Sequence, residues 1–274
     1  MNKHKRKIIQ IIGWNLVFIS TAALGLYFYS FWIGTLKKNK DVKNSNTPKT
    51  TNSILKIDVE RYAEEEKSKG KTITLAKKFG YKLQDIDLNG IVLKNLDLRK
   101  TLLTSINFNS TTLFSADLTK ATLSKVNFKG ALLQKILFNK AQLNNVSFKL
   151  AKLVNASFIR ANLKSVDLNQ ADLSNANLSG AYLINVDLSN VDLTNAILDN
   201  TYLEKVTMIN TNCSKAHIYN TTIKNSVIKN VNFNEAQLID TTISESNMVN
   251  IDFKGTDMRG THLKNNITTN VKFK

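Results

Sequence analysis

The chain has 274 residues, with 38 Lys and Arg against 21 Asp and Glu, a formal net charge of +17 and 42% hydrophobic residues. One proline and one cysteine, Cys213, exclude a Pro-rich disordered chain, a disulfide scaffold and a zinc–thiolate module. Only His4, His217 and His262 are available for imidazole chemistry, so enzyme readings begin with few candidates.

The N-terminus carries a membrane signal. A basic tail over residues 1–7 precedes an apolar run over residues 8–36 that holds no ionisable acid or base. A run of at least about 18 such residues predicts a transmembrane helix, and this one is too long for the core of a cleaved signal peptide. Trp14 and Trp32, the only tryptophans, stand roughly 27 Å apart along a helix rising about 1.5 Å per residue, which suits two interfacial anchors of one span. The flanking charges nearly tie, since Lys37, Lys38, Lys40, Lys43 and Lys49 follow the run. The compact cluster Lys3 to Lys7 resembles the start of an export signal. The expectation is therefore a bacterial single-pass membrane protein, bound to the bilayer through residues 8–36, with its C-terminal domain outside the cytoplasm.

Residues 37–53 are polar, contain the only proline and lack apolar periodicity, so they predict a flexible linker. Residues 54–80 predict a short helical cap. Asp58 is placed to cap the first helix, Gly70 to stop it, and TLAKKFG to add a turn before Gly80.

Residues 81–274 are dominated by a five-residue repeat. From Leu83 to Leu263 every fifth residue is apolar, with 22 Leu, 7 Phe, 4 Ile, 3 Met and Cys213. The position two residues earlier is also restricted, mostly to Ala, Thr, Val and Ile, and neither position ever holds a charge. A helix would spread such residues around its axis, because five residues advance it by about 500°. A flat strand would send every second one to the opposite face. Only short extended pieces joined by corners keep both positions inside. The corner position, from Asp85 to Asn265, is rich in Asn and Gly, the residues that tolerate turn dihedrals.

Residues 171–190, ADLSNANLSGAYLINVDLSN, closely resemble the A(D/N)Lxx consensus of pentapeptide-repeat proteins, and the resemblance extends over residues 81–265 or slightly beyond. It implies an all-β solenoid, a right-handed quadrilateral β-helix with 20 residues per coil and about nine coils. Residues 20 apart would then be neighbours. Phe108, Phe128 and Phe148 would form one internal ladder, Phe138 and Phe158 a second, and Phe233, Phe253 and Phe273 a third. Cys213 belongs to this interior as a packing residue.

No motif for a cofactor, metal or phosphate occurs in the repeat. His217 and His262 fall on different outward columns, without a partner readable in the sequence. Asp167 with Asp187, and Asp172 with Asp192, would stack about 4.8 Å apart, but on a convex surface where aspartate is simply the consensus residue. Charge is more informative. Residues 94–164 hold 12 Lys and Arg against Asp97 and Asp117, whereas residues 165–204 hold no base and six acids. One corner column, Lys100, Lys120, Lys140 and Arg160, reads as an anion-binding ridge whose obvious partner near a bilayer is anionic lipid. Nucleic acid is disfavoured, since Phe114 is the only outward aromatic in the basic region. The acidic band comprises Asp167, Asp172, Asp187 and Asp192.

The C-terminal coil around Phe253 and Phe273 should be a self-association surface, because open strand edges and apolar ends need covering, and resemblance to dimeric family members implies a homodimer. These features favour a non-enzymatic, membrane-anchored scaffold that binds a protein partner or an anionic surface through outward columns, with no cofactor. One alternative comes from the family resemblance, a DNA-mimicking protein that protects topoisomerases. It requires an acidic rod, and residues 81–274 carry 22 bases and 15 acids. The other is a secreted effector inserted in host membranes.

Overall fold

The computed structural model describes residues 54–273, which fold as a helical cap followed by a parallel β-solenoid. Among these residues no helix is long and apolar enough to cross a membrane. The expected span over residues 8–36, with Trp14 and Trp32, and the linker over residues 37–53 lie outside them. Helix α1 spans Lys56–Ser68 and α2 spans Leu75–Phe79. Helix α1 starts earlier than the Asp58 cap predicts. Leu55 occupies the cap position, while the Asp58 carboxylate reaches back to the Leu55 N–H at 3.3 Å and pairs with Arg61 at 3.1 Å. An acid in the first turn, facing the helix's free N–H groups, stabilises that end from inside the helix as well as from the cap. Gly70 and Gly80 follow the two helices at φ of 65° and 88°.

The solenoid is right-handed and four-sided, with about ten turns. Face 1, residues 81–85 and every twentieth residue after them, builds a ten-strand sheet from β1 (Lys82–Gln84) to β13 (His262–Lys264). Faces 2, 3 and 4 follow in chain order. Face 2 condenses in its upper half into a four-strand sheet of β8 (Thr207–Ile209), β10 (Val227–Lys229), β12 (Asn247–Asp252) and β14 (Ile267–Lys272). Along faces 3 and 4 the ladders are mostly single bridges, such as Val92 to Thr112 to Leu132, with a step of 20 within the solenoid, and Thr74 of the cap bridges Asp97 at the foot of face 4. Ten strands at about 4.8 Å give a rod about 43 Å tall. The expected nine coils become about ten because pairing continues past the last regular repeat. There β14 pairs with β12 in the same register, Ile267 opposite Asn247 and Val271 opposite Ile251.

Every corner from Asp85 to Asn270 has positive φ, whatever its residue: Asn190 is at 58°, Lys120 at 62° and Leu150 at 62°. A residue with a Cβ is disfavoured there by roughly 1–2 kcal/mol, which is why Asn and Gly recur at this position. The consensus Asp or Asn ahead of the central leucine also has a mechanical role. Its side-chain oxygen accepts the N–H two residues on, as in Asp117 with Thr119 at 2.8 Å and Asp187 with Ser189 at 2.8 Å, and so braces the turn. Asparagines at one corner also bond to one another up the rod, from Asn190 through Asn210, Asn230 and Asn250 to Asn270, at 2.9 to 3.3 Å.

Both inward positions are buried along most of the rod, and the core runs unbroken from Val59 in the cap to Phe253. Residues 54–273 thus contain a complete core. Phe108, Phe128 and Phe148 stack at 5.0 Å, Phe138 on Phe158 at 5.0 Å, and the two ladders meet edge to face. Burial, with Asp192 nearby, pushes the Cys213 thiol up to about 12, so it packs as an inert small hydrophobe. Tyr81 departs from the inward pattern and is exposed. The first coil begins only at β1, and Leu75, Ala76 and Phe79 of the cap supply the apolar contact at that end.

The buried and half-buried hydroxyls at inward positions are satisfied through the stack. Thr111 donates to the carbonyl of Leu88 at 2.9 Å, Thr211 to that of Leu188 at 2.8 Å, and Thr256 to that of Phe233 at 2.9 Å, each 23 residues back. Where the repeat lapses, Asn266 completes a polar column. Its Oδ1 accepts the Ser246 N–H at 2.9 Å, the Ser246 hydroxyl accepts the Ser226 N–H at 3.0 Å, and the Ser226 hydroxyl accepts that of Val206 at 3.1 Å. The lapse in the apolar pattern at Asn266 is therefore filled by hydrogen bonding.

Candidate functional site

Lys100, Lys120, Lys140 and Arg160 occupy four successive levels of the corner between face 4 and face 1, each at positive φ and each exposed. Backbone bonds from Lys100 to Thr119, Lys120 to Asn139, Lys140 to Ile159 and Arg160 to Ser179, at 2.9 to 3.0 Å, lock them into one column. Among the described residues no carboxylate lies within 4.0 Å of their charged groups, whereas Arg99 on the adjoining face is held by Asp97 at 2.8 Å and approaches Asp117 at 3.8 Å. The Arg99 guanidinium holds the Asp97 carboxyl below the usual range and is itself pushed up. Above the column the corner becomes small. The Arg160 side chain leans over Gly180, where an added Cβ would come within 3.3 Å of its Cγ. The remaining bases of residues 94–164 are spread over the other faces and corners, with Lys129 and Lys149 stacked on face 2, so the basic zone girdles the rod and the ridge is its longest column.

The four acidic-band residues lie where their spacing puts them: Asp167 and Asp187 are neighbours on face 2, Asp172 and Asp192 on face 3. Each already spends an oxygen on its own turn, at 2.9, 2.8, 3.2 and 2.9 Å for Asp167, Asp187, Asp172 and Asp192. The Asp172 carboxylate also meets Lys152 at 3.5 Å. The recess beside Asp167 and Asp187 is shallow, about 270 Å³, and shared with Lys205. His217 and His262 are exposed and remain on separate columns, beside Ile197 and Gln237 and beside Thr242. Among the described residues no group of three or more His, Cys, Asp or Glu side chains converges on a metal position.

At the C-terminal end Phe253 is buried, and Phe273, 54% exposed, stacks on it at 5.6 Å. Ile267 is exposed, Leu263 and Val271 are half-buried, and β14 leaves one edge unpaired among the described residues. Sequence reasoning passed over one further feature. On face 3 half of the outward residues of the four lower coils are apolar, with Val92, Phe114 and Leu132 exposed and Val154 half-buried, whereas higher levels carry Asp172, Ser174, Asp192, Thr194, Asn212 and Ser214. The signal was present in two columns of step 20, but it becomes a surface only once the register is fixed.

The family model "Pentapeptide repeats (8 copies)" matches residues 92–130, 121–158, 151–190, 187–225 and 224–260. No curated protein matches the chain. Among solved structures the chain is similar to HetL, a pentapeptide-repeat protein involved in heterocyst differentiation regulation from the cyanobacterium Nostoc sp. strain PCC 7120. The two are 25% identical over 68% of this chain and 86% of HetL, with a TM-score of 0.47. It is also similar to a trypsin-treated variant of QnrB1, a plasmid-mediated fluoroquinolone resistance protein. That match is 16% identical over 64% of this chain and 92% of QnrB1, with a TM-score of 0.53, and concerns the fold alone. The repeat, the 20-residue register and the family match over most of the solenoid agree, and the chain belongs to the pentapeptide-repeat family.

Proposed function

We propose that the protein is a non-enzymatic scaffold, tethered to a bilayer through residues 8–36, that holds an anionic partner against the ridge of Lys100, Lys120, Lys140 and Arg160. The observation that carries this reading is the ridge itself. Four exposed bases, unpaired among the described residues, share one corner at a spacing near 4.8 Å, where like charges repel, and an anionic ligand relieves that repulsion. Topoisomerase protection by DNA mimicry fits less well, since the rod has more bases than acids. Changing all four residues to Gln in residues 53–274 should lower binding of polyglutamate or anionic vesicles about tenfold or more and flatten its salt dependence. The two probes distinguish a protein source of the anion from a lipid one. Unchanged binding of both would remove the ridge from the function.

The C-terminal end is read as a docking face for a second copy. Among the described residues Phe273 and Ile267 are exposed, Leu263 and Val271 are only half-buried, and the β14 edge offers unpaired backbone groups. Residues 53–274 should sediment as a dimer, and Phe273→Asp should return the monomer without changing the far-UV spectrum. A monomeric parent would dispose of this contact.

A further inference from the structure

We propose that face 3 of the first four coils is the side of the rod that lies against the bilayer, with anionic headgroups around an apolar strip. The proposal rests on the tethering reading above and adds the surface that meets the lipid. The strip consists of Val92, Phe114 and Leu132 with Leu150 at the adjoining corner, each between 37% and 62% exposed, and half-buried Val154. The ladder Val92 to Thr112 to Leu132 to Lys152 fixes their heights, so one apolar member stands at each of about four levels, interleaved with Thr112, Gln134 and Lys152. No other face exposes as many apolar side chains over these coils, face 4 carrying only half-buried Leu137 and Ile159. Face 2 is polar throughout (Asp87, Asn107, Asn127, Ser147), and face 1 exposes only Leu102 among polar neighbours after Tyr81.

One observation favours lipid as the occupant. Along its sides the rim is basic: Lys94 follows Val92 by two residues, Lys149 adjoins Leu150, and the Lys135 ammonium sits 5.8 Å from the Phe114 ring centre. An apolar centre with Lys at its margin is the pattern of a surface that sinks into the headgroup layer of an anionic membrane. Glu60 and Glu64 of α1 border Val92 and mark the strip's end at the cap. In this pose face 1 points away from the membrane and the ridge stands at its edge, which leaves the four bases to an acidic protein and not to headgroups.

Residues 53–274 contain no tryptophan, so Phe114→Trp and, on the opposite side, Tyr182→Trp are single reporters at exposed positions. With a large excess of vesicles of phosphatidylcholine and phosphatidylglycerol in equal parts, Phe114→Trp emission should shift to the blue and be quenched about twofold by brominated chains. Tyr182→Trp should stay unchanged, and adding Leu132→Glu should abolish the Phe114→Trp response. A silent Phe114→Trp, an equal response from Tyr182→Trp, or quenching that survives Leu132→Glu would overturn the proposal, and a Phe114→Trp that responds to a protein but not to vesicles would do the same. Alkaline carbonate extraction of the full chain reads the tether separately. A retained chain with a silent Phe114→Trp removes face 3 and keeps the tether; an extractable chain with a responsive Phe114→Trp removes the tether and keeps face 3 as a reversible contact.

Discussion

Phe128→Ala is expected to destabilise the solenoid by about 3–5 kcal/mol, the range for emptying a fully buried aromatic site. Phe128 is 0% exposed, stacks on Phe108 and Phe148 at 5.0 Å on either side, and meets Phe138 edge-on at 5.9 Å. Its loss therefore breaks three ring contacts, each worth roughly 0.5–1.5 kcal/mol beyond buried area, and opens a cavity that neighbouring coils, fixed by their ladders, cannot close. Phe273→Ala serves as the comparison. It removes a ring that is 54% exposed and touches a single stacked partner, and should shift the urea midpoint by a small fraction of the Phe128 effect. Equal midpoints for the two variants, followed by circular dichroism, would contradict a core organised as continuous phenylalanine ladders.

That ladder was legible in the sequence for a definite reason. A buried position in this fold must be apolar at every coil, so the period of five shows the inside directly, and the step of 20 follows once four corners close a turn. The ridge was legible by the same rule, since Lys100, Lys120, Lys140 and Arg160 need only the step. What the sequence hid is mostly hydrogen bonding. Thr111 and Thr211 occupy inward positions as acceptable small residues, and nothing in their spacing announces a bond to a carbonyl 23 residues back. Asn266 reads as the end of the pattern, yet it caps a serine column that begins at Val206. The face 3 strip was missed because its members alternate between two outward columns. Each looks unremarkable in its own pentapeptide, and only the closed coil sets Phe114 diagonally beside Val92 and Leu132. The Asp–leucine consensus carried the opposite risk. Asp167, Asp172, Asp187 and Asp192 read as a charge band, whereas each also braces its own turn, so their removal would cost structure as well as charge.

Excising residues 171–190 is expected to leave a shorter but cooperatively folded rod, whereas excising only residues 171–173 should lower stability far more. The larger deletion joins the corner Gln170 to the inward Val191, and because each ladder advances by 20, every later residue still lands on its own face. Asp167 then sits beneath Thr207 and Lys152 beneath Asp192, and Arg160 meets Asn200 in place of Gly180, a change its flexible side chain can absorb. Removing residues 171–175 keeps the alternation of inside and outside but turns the upper rod by one face, so one mismatched level is created. The three-residue deletion destroys the phase itself, placing Ser174 at an inward position and Leu178 at a corner. Each large apolar residue turned outward forfeits roughly 1.5–3 kcal/mol, so several together rival the roughly 5–15 kcal/mol that holds a domain folded. The chain can recover phase only by bulging two residues out of the stack, which breaks a rung on that face. Thermal midpoints should therefore fall in the order parent, twenty-residue, five-residue and three-residue deletion. A three-residue deletion as stable as the twenty-residue one would mean that the corners, and not the pentapeptide phase, set the register of the coil.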